Sequence, residues 1–299
     1  MNASLHLLHR LTTATVGIDA KIRESHPSTV VLGTERQGTG VVLESANLVL
    51  TVNYLTLGAQ SLTVTTTRGA SFQAAVVAQD FVSGLALLES NAVAKVGLSP
   101  RHSRELNPGN DVVVVASTGK SERRTADGLL ASLGGFEANW EYSLERALAI
   151  TTQSPGFGGA PICDAAGKVL GVTFLDTGEV GRFTIGIPVD HYLDHRDELL
   201  EHGRRVSRPA RAWIGCFCYT VREHVVIAGV LPGGPAERGG LKAGDVVIDI
   251  DAQRISGRGE LYRTLWDRRP GAQVELRVYR DKGIHAITLT TASAEEFFA

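Results

Sequence analysis

The sequence has few cysteines and few aromatic residues. Its three cysteines are Cys163, Cys216 and Cys218, and this sparse, odd number argues against a disulfide framework and indicates a reducing compartment. Tryptophan, tyrosine and phenylalanine together supply 6% of the residues. Glycine, by contrast, occurs 33 times, which favours the many tight turns that small β-barrels require.

No charge of one sign dominates, and no long hydrophobic run is present. Thirty basic and thirty-two acidic residues give a formal net charge of −2, so there is no electrostatic case for nucleic acid or an anionic membrane as partner. No stretch reaches the roughly 20 apolar residues of a membrane helix. The first ten residues lack a basic start followed by an apolar run, so the sequence predicts a cytoplasmic protein.

The length of 299 residues and the residue pattern predict two domains. Residues 28–190 consist of short β-branched and aliphatic runs, such as 48–52 and 29–32, broken by Gly, Asn, Asp and Pro. This pattern is typical of an all-β barrel or sandwich. Three further segments are predicted: a helix and linker at 191–211, a second unit of strands and one helix at 212–292, and a C-terminal tail at 293–299.

Residues 1–27 are predicted to form a helical arm. Leu5, Leu8, Leu11, Ile18 and Ile22 follow the spacing of a short amphipathic helix. Two interpretations of this arm stay open, a terminal segment packed on the first domain and a handle for oligomerisation.

Six segments of the first domain carry glycine and aliphatic residues in a characteristic order: 37–43, 50–55, 80–88, 155–162, 167–172 and 185–188. In order and spacing they resemble the protease domain of the HtrA family. The resemblance covers nearly all of residues 28–190. It implies a mainly β fold, a chymotrypsin-like double β-barrel followed by a PDZ domain.

The resemblance also implies a catalytic triad, and this sequence departs from it at all three positions. Tyr54 stands at the position of the general base, Gly84 at that of the orienting acid, and Gly158 at that of the nucleophile. Acyl transfer on this fold needs a hydroxyl whose proton passes to an imidazole oriented by a carboxylate. We therefore expect a pseudoprotease without catalytic residues, which is not an enzyme.

No other residue of the predicted barrels offers an obvious replacement. Ser83 and Ser154 are the nearest hydroxyls, and His102 is the one histidine of residues 28–190, in a predicted connection between the barrels. Gly156 and Gly158 still flank the turn whose N–H groups would form an oxyanion hole. Both an open cleft and a collapsed one stay possible.

The second domain holds the most specific motif of the chain. Residues 233–248, preceded by 212–217 and 226–230, resemble a PDZ domain of the HtrA class. PDZ domains add an extended peptide to a sheet edge and capture its C-terminal carboxylate with backbone N–H groups. By resemblance, the peptide site consists of the loop Trp213, Ile214, Gly215 and Cys216, the strand Cys216, Phe217 and Cys218, and the helix residues Leu261 and Leu265.

An apolar groove and a carboxylate loop predict proteins or peptides with hydrophobic C-termini as partners. The resemblance implies a scaffold, adaptor or chaperone-like role. A serine-type endopeptidase with a non-standard site and a structural subunit of a larger complex are the alternatives. The trimeric habit of the family suggests a homo-oligomer.

No cofactor is predicted. His191 and His195 lie four residues apart on a predicted helix, and His202 follows about two turns later. No third ligand is defined beside the first two, so the sequence does not predict a metal site. The tail residues 297–299 are apolar and end in a carboxylate. We hypothesise that this tail can occupy a PDZ groove, either its own or that of a neighbour.

Overall fold

The computed structural model describes residues 3–43, 47–90, 97–177 and 183–299, which form two compact units. Unit 1 consists of Met1–Gly135 and Glu145–Ser207, and unit 2 of Phe136–Leu144 and Arg208–Ala299. Residues 136–144 therefore lie between two parts of unit 1 in the sequence but pack with unit 2. No helix of the described residues has the length and apolar character to cross a membrane.

Six antiparallel strands close the first barrel in the order β1-β2-β3-β6-β5-β4. Aliphatic residues such as Val16, Val49 and Val64 fill its interior, because alternate residues of a strand face the same side. A single 3-10 turn, Asn53–Leu55, follows β3. The strands are β1 Thr15–Ile22, β2 Glu35–Val42, β3 Leu48–Val52, β4 Ala59–Thr65, β5 Ser71–Asp80 and β6 Leu85–Glu89.

A second closed barrel follows, in the order β10-β11-β12-β9-β8-β7. Val114, Leu148 and Ile162 are fully buried in its core. A 3-10 turn, Ser103–Glu105, precedes it. Its strands are β7 Asp111–Gly119, β8 Glu122–Glu137, β9 Ser143–Ile150, β10 Pro161–Cys163, β11 Val169–Asp176 and β12 Thr184–Pro188.

The N-terminal region is a helix followed by a strand. Helix α1, Ala3–Ala14, leads directly into β1, so the first barrel begins at Thr15 and not at the predicted boundary of 28. The prediction of a helix that includes Ile18 and Ile22 is wrong, because these two residues alternate along a strand with period two. The predicted strand at 29–32 is instead a helical turn, α2, Thr29–Leu32.

Helix α3, Asp190–His202, follows the second barrel and ends at Gly203, whose φ of 69° is the left-handed conformation common after helices. The Asp190 carboxylate does not cap this helix. It accepts the N–H of Ser103 at 2.9 Å.

Unit 2 is a six-stranded sheet in the order β13-β14-β15-β17-β18, with β16 paired to β15. Strand β13 is thus an edge strand. The strands are β13 Cys216–Val221, β14 His224–Val230, β15 Val246–Ile250, β16 Gln253–Arg254, β17 Gln273–Arg280 and β18 Gly283–Thr290; the helices are α4 Pro235–Arg238, α5 Arg258–Trp266 and α6 Ala294–Phe297. Two barrels and a separate sheet confirm the predicted mainly β fold.

Candidate functional site

The three predicted triad positions lie close together in the first unit. Tyr54 is in the 3-10 turn after β3, and the N–H of its neighbour Asn53 donates to the carbonyl of Gly84 at 2.8 Å. A Cβ placed on Gly158 would overlap the Tyr54 hydroxyl oxygen. Fold and register thus bring residues 54, 84 and 158 to one place, as the motif order predicts.

Tyr54 is not suited to act as a general base. Burial raises its pKa to about 12, so the phenol is neutral at physiological pH. Its ring lies 6.0 Å from that of Phe174, centroid to centroid. The tyrosine hydroxyl therefore takes the space that a side chain at 158 would require.

The turn that precedes β10 is held by main-chain hydrogen bonds. The Phe157 N–H donates to the Ser117 carbonyl at 2.8 Å, and the Gly159 N–H to the Thr173 carbonyl at 2.7 Å. The Thr39 hydroxyl donates to the Phe157 carbonyl at 2.7 Å. These hydrogen bonds fix the main chain of the turn, whose residues 155–158 are half-buried.

The residues considered as replacements are engaged elsewhere. Ser83 donates to the Asp80 carboxylate at 2.5 Å and is fully buried. Ser154 donates to the Gly156 carbonyl at 3.1 Å. The imidazole of His102 lies 3.3 Å from the Asp190 carboxylate, so these contacts place it with an acid and not with a serine.

An imidazole–hydroxyl contact that sequence reasoning missed lies just before the predicted barrel boundary. His26 Nδ1 and Ser28 Oγ are 2.7 Å apart, and the Arg36 guanidinium donates to the same oxygen at 2.6 Å. Both members are buried. Because the sequence predicts an arm for residues 1–27, it gives no reason to pair His26 with a hydroxyl of the barrel.

In unit 2, the loop before β13 binds a carboxylate of the chain itself. The N–H groups of Ile214, Gly215 and Cys216 donate to the side chain of Glu141 at 3.1, 2.6 and 2.9 Å. Gly215 has a φ of 79°, a conformation that glycine adopts at little cost. The predicted carboxylate loop is therefore formed, and Glu141 occupies it.

The residues before Glu141 continue along the edge of β13. The Cys218 N–H donates to the Asn139 carbonyl at 2.7 Å. From the other side, the Tyr262 hydroxyl of α5 donates to the Ala138 carbonyl at 2.8 Å. The groove between β13 and α5 thus holds residues 138–141.

The predicted groove residues have different roles. Trp213 pairs with Ala292 through two main-chain hydrogen bonds of 2.8 and 2.9 Å. Phe217 is half-buried on β13, whereas Cys216 and Cys218 are buried in the core. The groove-wall role of Leu261 and Leu265 stays a prediction. Both are fully buried in that core while residues 138–141 fill the groove, and α5 contacts residues 137 and 138 through Arg258, Tyr262 and Arg263.

The C-terminal tail packs outside the groove. Phe297 and Phe298 lie against Trp213, with ring centroids 4.8 and 5.8 Å away. Ser293 caps the short helix α6 that carries Phe297. The tail therefore does not occupy its own groove as hypothesised, because the carboxylate loop already binds Glu141.

Arg211, just before the carboxylate loop, packs on an aromatic ring of α5. Its guanidinium carbon lies 4.2 Å from the centroid of the Trp266 ring, a cation–π contact. Within the described ranges, no three His, Cys, Asp or Glu side chains cluster as metal ligands do.

We predict a pH dependence of stability from Glu141. Burial raises the pKa of Glu141 from 4.5 to about 7, against the opposing effect of the N–H groups of Cys216, Ile214 and Gly215. The folded protein therefore binds more protons than the unfolded chain between these values, so the stabilising contribution is complete below pH 4.5 and is lost as the pH rises to 7. The slope is at most about 1.4 kcal/mol per pH unit.

The measurement compares unfolding free energies of the natural chain and Glu141→Gln, which cannot titrate, in steps from pH 4.5 to 8. We expect the difference between the two proteins to change up to pH 7 and then to level. Glu145→Gln, which alters an exposed carboxylate on β9, is the control and should run parallel to the natural chain. A constant difference between the natural chain and Glu141→Gln would contradict the prediction.

Two family models match the chain. One, described as a trypsin-like peptidase domain, matches residues 38–172, and one described as a PDZ domain matches residues 170–291. The first match includes positions 54, 84 and 158.

Two curated relatives share the name "Probable periplasmic serine endoprotease DegP-like". The protein from Halomonas elongata is 26% identical over 270 residues, which is 85% of this chain and 56% of the relative. The one from Pseudomonas savastanoi is 25% identical over 281 residues, 87% of this chain and 56% of the relative. The chain thus spans just over half the length of each.

Solved structures support the same fold. The HtrA-type protease AlgW with a tripeptide superimposes with a TM-score of 0.59 at 21% identity, over 97% of both chains. A serine endoprotease from Yersinia pestis gives a TM-score of 0.56 at 18% identity, over 98% of both chains. The predicted order, a chymotrypsin-like double barrel followed by a PDZ domain, is confirmed.

Two predictions are contradicted by these comparisons. The prediction that the chain is not an enzyme is wrong, because the relatives aligned with most of it are named serine endoproteases. The loss of three side chains argues against one mechanism and not against every reaction. The predicted cytoplasmic location is also contradicted, since the same relatives are named periplasmic; three buried free cysteines do not identify a compartment.

Proposed function

Because the chain belongs to the HtrA-type family, in which a trypsin-like peptidase domain precedes a PDZ domain, we propose that its PDZ unit binds extended peptide segments at the edge of β13. The observation that carries the proposal is the convergence of the N–H groups of Ile214, Gly215 and Cys216 on one carboxylate. A free C-terminus presents the same group at the end of a strand. The proposed partners are proteins or peptides with hydrophobic C-termini.

Gly215→Ala is expected to weaken peptide binding tenfold or more. A Cβ at this position would lie 2.8 Å from Trp213 Cη2, and the φ of 79° is unfavourable for alanine, so the three N–H groups would lose their common direction. Fluorescence anisotropy of a labelled peptide with a free hydrophobic C-terminus measures the affinity. The amidated form of the same peptide is expected to bind more weakly.

Gly271→Ala is the matched control. Its φ of 85° imposes the same backbone penalty, but its surroundings are open and it lies outside the groove. Equal affinities of the two alanine variants would refute the role of the loop. Equal affinities of the free and amidated peptides would refute the capture of a carboxylate.

A serine-type endopeptidase with a non-standard site is the second candidate, and the names of the relatives favour it. Residues 54, 84 and 158 supply no imidazole and no carboxylate, so hydrolysis would use other side chains. The contact of His26 with Ser28 supplies an imidazole and a hydroxyl, and substrate would reach this buried pair only after its surroundings open.

A fluorophosphonate probe on the full chain, with casein cleavage measured in parallel, tests this candidate. Peptide mass analysis identifies the labelled residue. Loss of the label in Ser28→Ala and its retention in Ser154→Ala would assign the nucleophile to Ser28. A folded chain that neither takes up the probe nor cleaves casein would rule out the second candidate and leave the first untouched.

A periplasmic location is proposed on the basis of the relatives' name. Assembly into homo-oligomers, or with a larger complex, stays a prediction from the family resemblance. Sedimentation of the full chain measures the first of these directly.

A further inference from the structure

The segment that fills the PDZ groove comes from the connection between β8 and β9. Residues 136–144 belong to unit 2, although the strands on either side belong to the second barrel. Glu141 is 8% exposed despite its charge-bearing side chain. A carboxylate is rarely buried without partners, and here three N–H groups supply them.

The segment meets the edge of β13 in the antiparallel direction through one main-chain hydrogen bond and the contacts of Glu141. Glu141 contacts the loop that ends at Cys216, and Asn139, two residues earlier, accepts from Cys218, two residues later. In an antiparallel pair, alternate residues direct their N–H and C=O groups to the same edge. The chain therefore follows β13 with a side-chain carboxylate where a peptide ligand would carry its terminus.

The opposite wall contacts main-chain carbonyls of the segment and also the Glu137 carboxylate, which lies 3.8 Å from Arg258 Nε. Tyr262 donates to the carbonyl of Ala138, and Arg258 to that of Glu137, at 2.8 and 2.7 Å. Trp140, between Asn139 and Glu141, is 36% exposed. Among the side chains of residues 138–141, the loop N–H groups bind that of Glu141.

The segment is also a closed turn under backbone strain. The Ala138 N–H donates to the Tyr142 carbonyl at 2.8 Å. Glu141 itself has a φ of 47°, which residues with a Cβ rarely adopt. Because the carboxylate contacts hold this conformation, release from the groove would relax it.

We propose that residues 138–141 are a tethered ligand of the PDZ groove, and that the groove binds internal turns in which a glutamate side chain replaces a C-terminal carboxylate. The inference rests on the proposed peptide binding and specifies its ligand. Attachment to β8 and β9 gives the segment a high effective concentration, so an added ligand must displace it.

The probe is residues 136–144 as a peptide, acetylated and amidated, closed by a disulfide between one cysteine added at each end. We expect it to bind Glu141→Gln at least tenfold more tightly than the natural chain, because the amide replaces one of the two accepting oxygens by an N–H donor that faces the N–H groups of the loop. Glu145→Gln, which removes an exposed charge nearby, should bind like the natural chain. The same peptide with glutamine in place of the residue equivalent to Glu141 should lose binding to every variant.

The linear peptide with a free hydrophobic C-terminus separates the two proposals. If it binds and the cyclic probe does not, the proposed function stands and the internal-turn ligand is refuted. Equal affinity of the cyclic probe for the natural chain and Glu141→Gln also overturns the tethered ligand. If neither peptide binds any variant whose circular dichroism matches that of the natural chain, both proposals fail.

Discussion

Asp245→Asn is expected to lower the unfolding free energy of unit 2 by about 3 kcal/mol, because it breaks a buried ion pair and leaves its cation without a counter-charge. Asp245 is 1% exposed. Its carboxylate accepts from Arg280 Nε and Nη2, both at 2.5 Å, and from the Lys242 N–H at 2.8 Å. Burial opposes ionisation of this group, but the hydrogen bonds from Arg280 and Lys242 hold its pKa below the usual range.

Tryptophan fluorescence measures this loss in unit 2 alone. The three tryptophans of the chain, Trp140, Trp213 and Trp266, all lie in that unit. Denaturant unfolding followed at these residues therefore reports a single domain, which avoids the mixed transition of a two-domain protein.

Asp251→Asn is the matched control for the ion pair. The Asp251–Arg268 pair is about a third exposed on both sides, and the asparagine carbonyl can still accept the Glu275 N–H. Its loss should cost at most about 1 kcal/mol. Similar unfolding midpoints for Asp245→Asn and Asp251→Asn would show that the burial of Asp245 has no energetic consequence.

The same ion pair bears on peptide binding only through folding. The Ile227 N–H donates to the Asp245 carbonyl at 2.8 Å, and β14, which contains Ile227, pairs with β13. Below its unfolding transition, Asp245→Asn should bind peptides like the natural chain, whereas Gly215→Ala should not. This contrast distinguishes damage to the fold from damage to the carboxylate loop.

The sequence predicts features that depend on local pattern. Short aliphatic runs between glycines and polar residues indicate the barrels, and Gly203 marks the end of α3. The carboxylate loop around Gly215 is predicted by the resemblance of residues 212–217 and 233–248 to a PDZ domain, and not by local pattern alone.

Features that depend on distant partners are not predictable in this way. Glu141 lies more than seventy positions before the loop it binds, and one glutamate in a polar turn has no distinctive pattern. Leu261 and Tyr262 are neighbours on α5, and spacing alone does not show which of them faces the groove. The sequence does not separate Ile18 and Ile22 from the helix before them. The spacing of apolar residues changes from a helical period of 3.6 to a strand period of 2 within a few residues, directly after the leucines of α1.

Gly158→Ala is expected to destabilise unit 1 by about 1–3 kcal/mol, because the added methyl group would overlap the Tyr54 hydroxyl oxygen and force the tyrosine or the turn to move. Gly158 does not have a positive φ, so alanine alone carries no backbone penalty. At such a site, replacing glycine by alanine would otherwise stabilise the protein by restricting the unfolded chain.

Tyr54→Phe removes the oxygen that creates this overlap. The nearest remaining atom of residue 54 is then Cζ, 3.5 Å from a Cβ at 158, which is ordinary van der Waals contact. We expect the cost of Gly158→Ala to fall close to zero in the Tyr54→Phe background, a coupling of about 1–3 kcal/mol. Calorimetry of the four proteins measures it, with the unit 2 transition assigned by tryptophan fluorescence. Equal costs in both backgrounds would show that the two positions do not touch.

The coupling determines which substitutions could place a nucleophilic hydroxyl at position 158. A serine at 158 would meet the same tyrosine oxygen as an alanine, so Gly158→Ser alone should destabilise the barrels and not create a reactive hydroxyl. Tyr54→His combined with Gly158→Ser would clear the space and place an imidazole beside the hydroxyl, which acyl transfer on this fold requires. Tyr54 and Gly158 are therefore two parts of one packing arrangement, and the coupling between Tyr54→His and Gly158→Ser should have the same sign as that measured with phenylalanine and alanine.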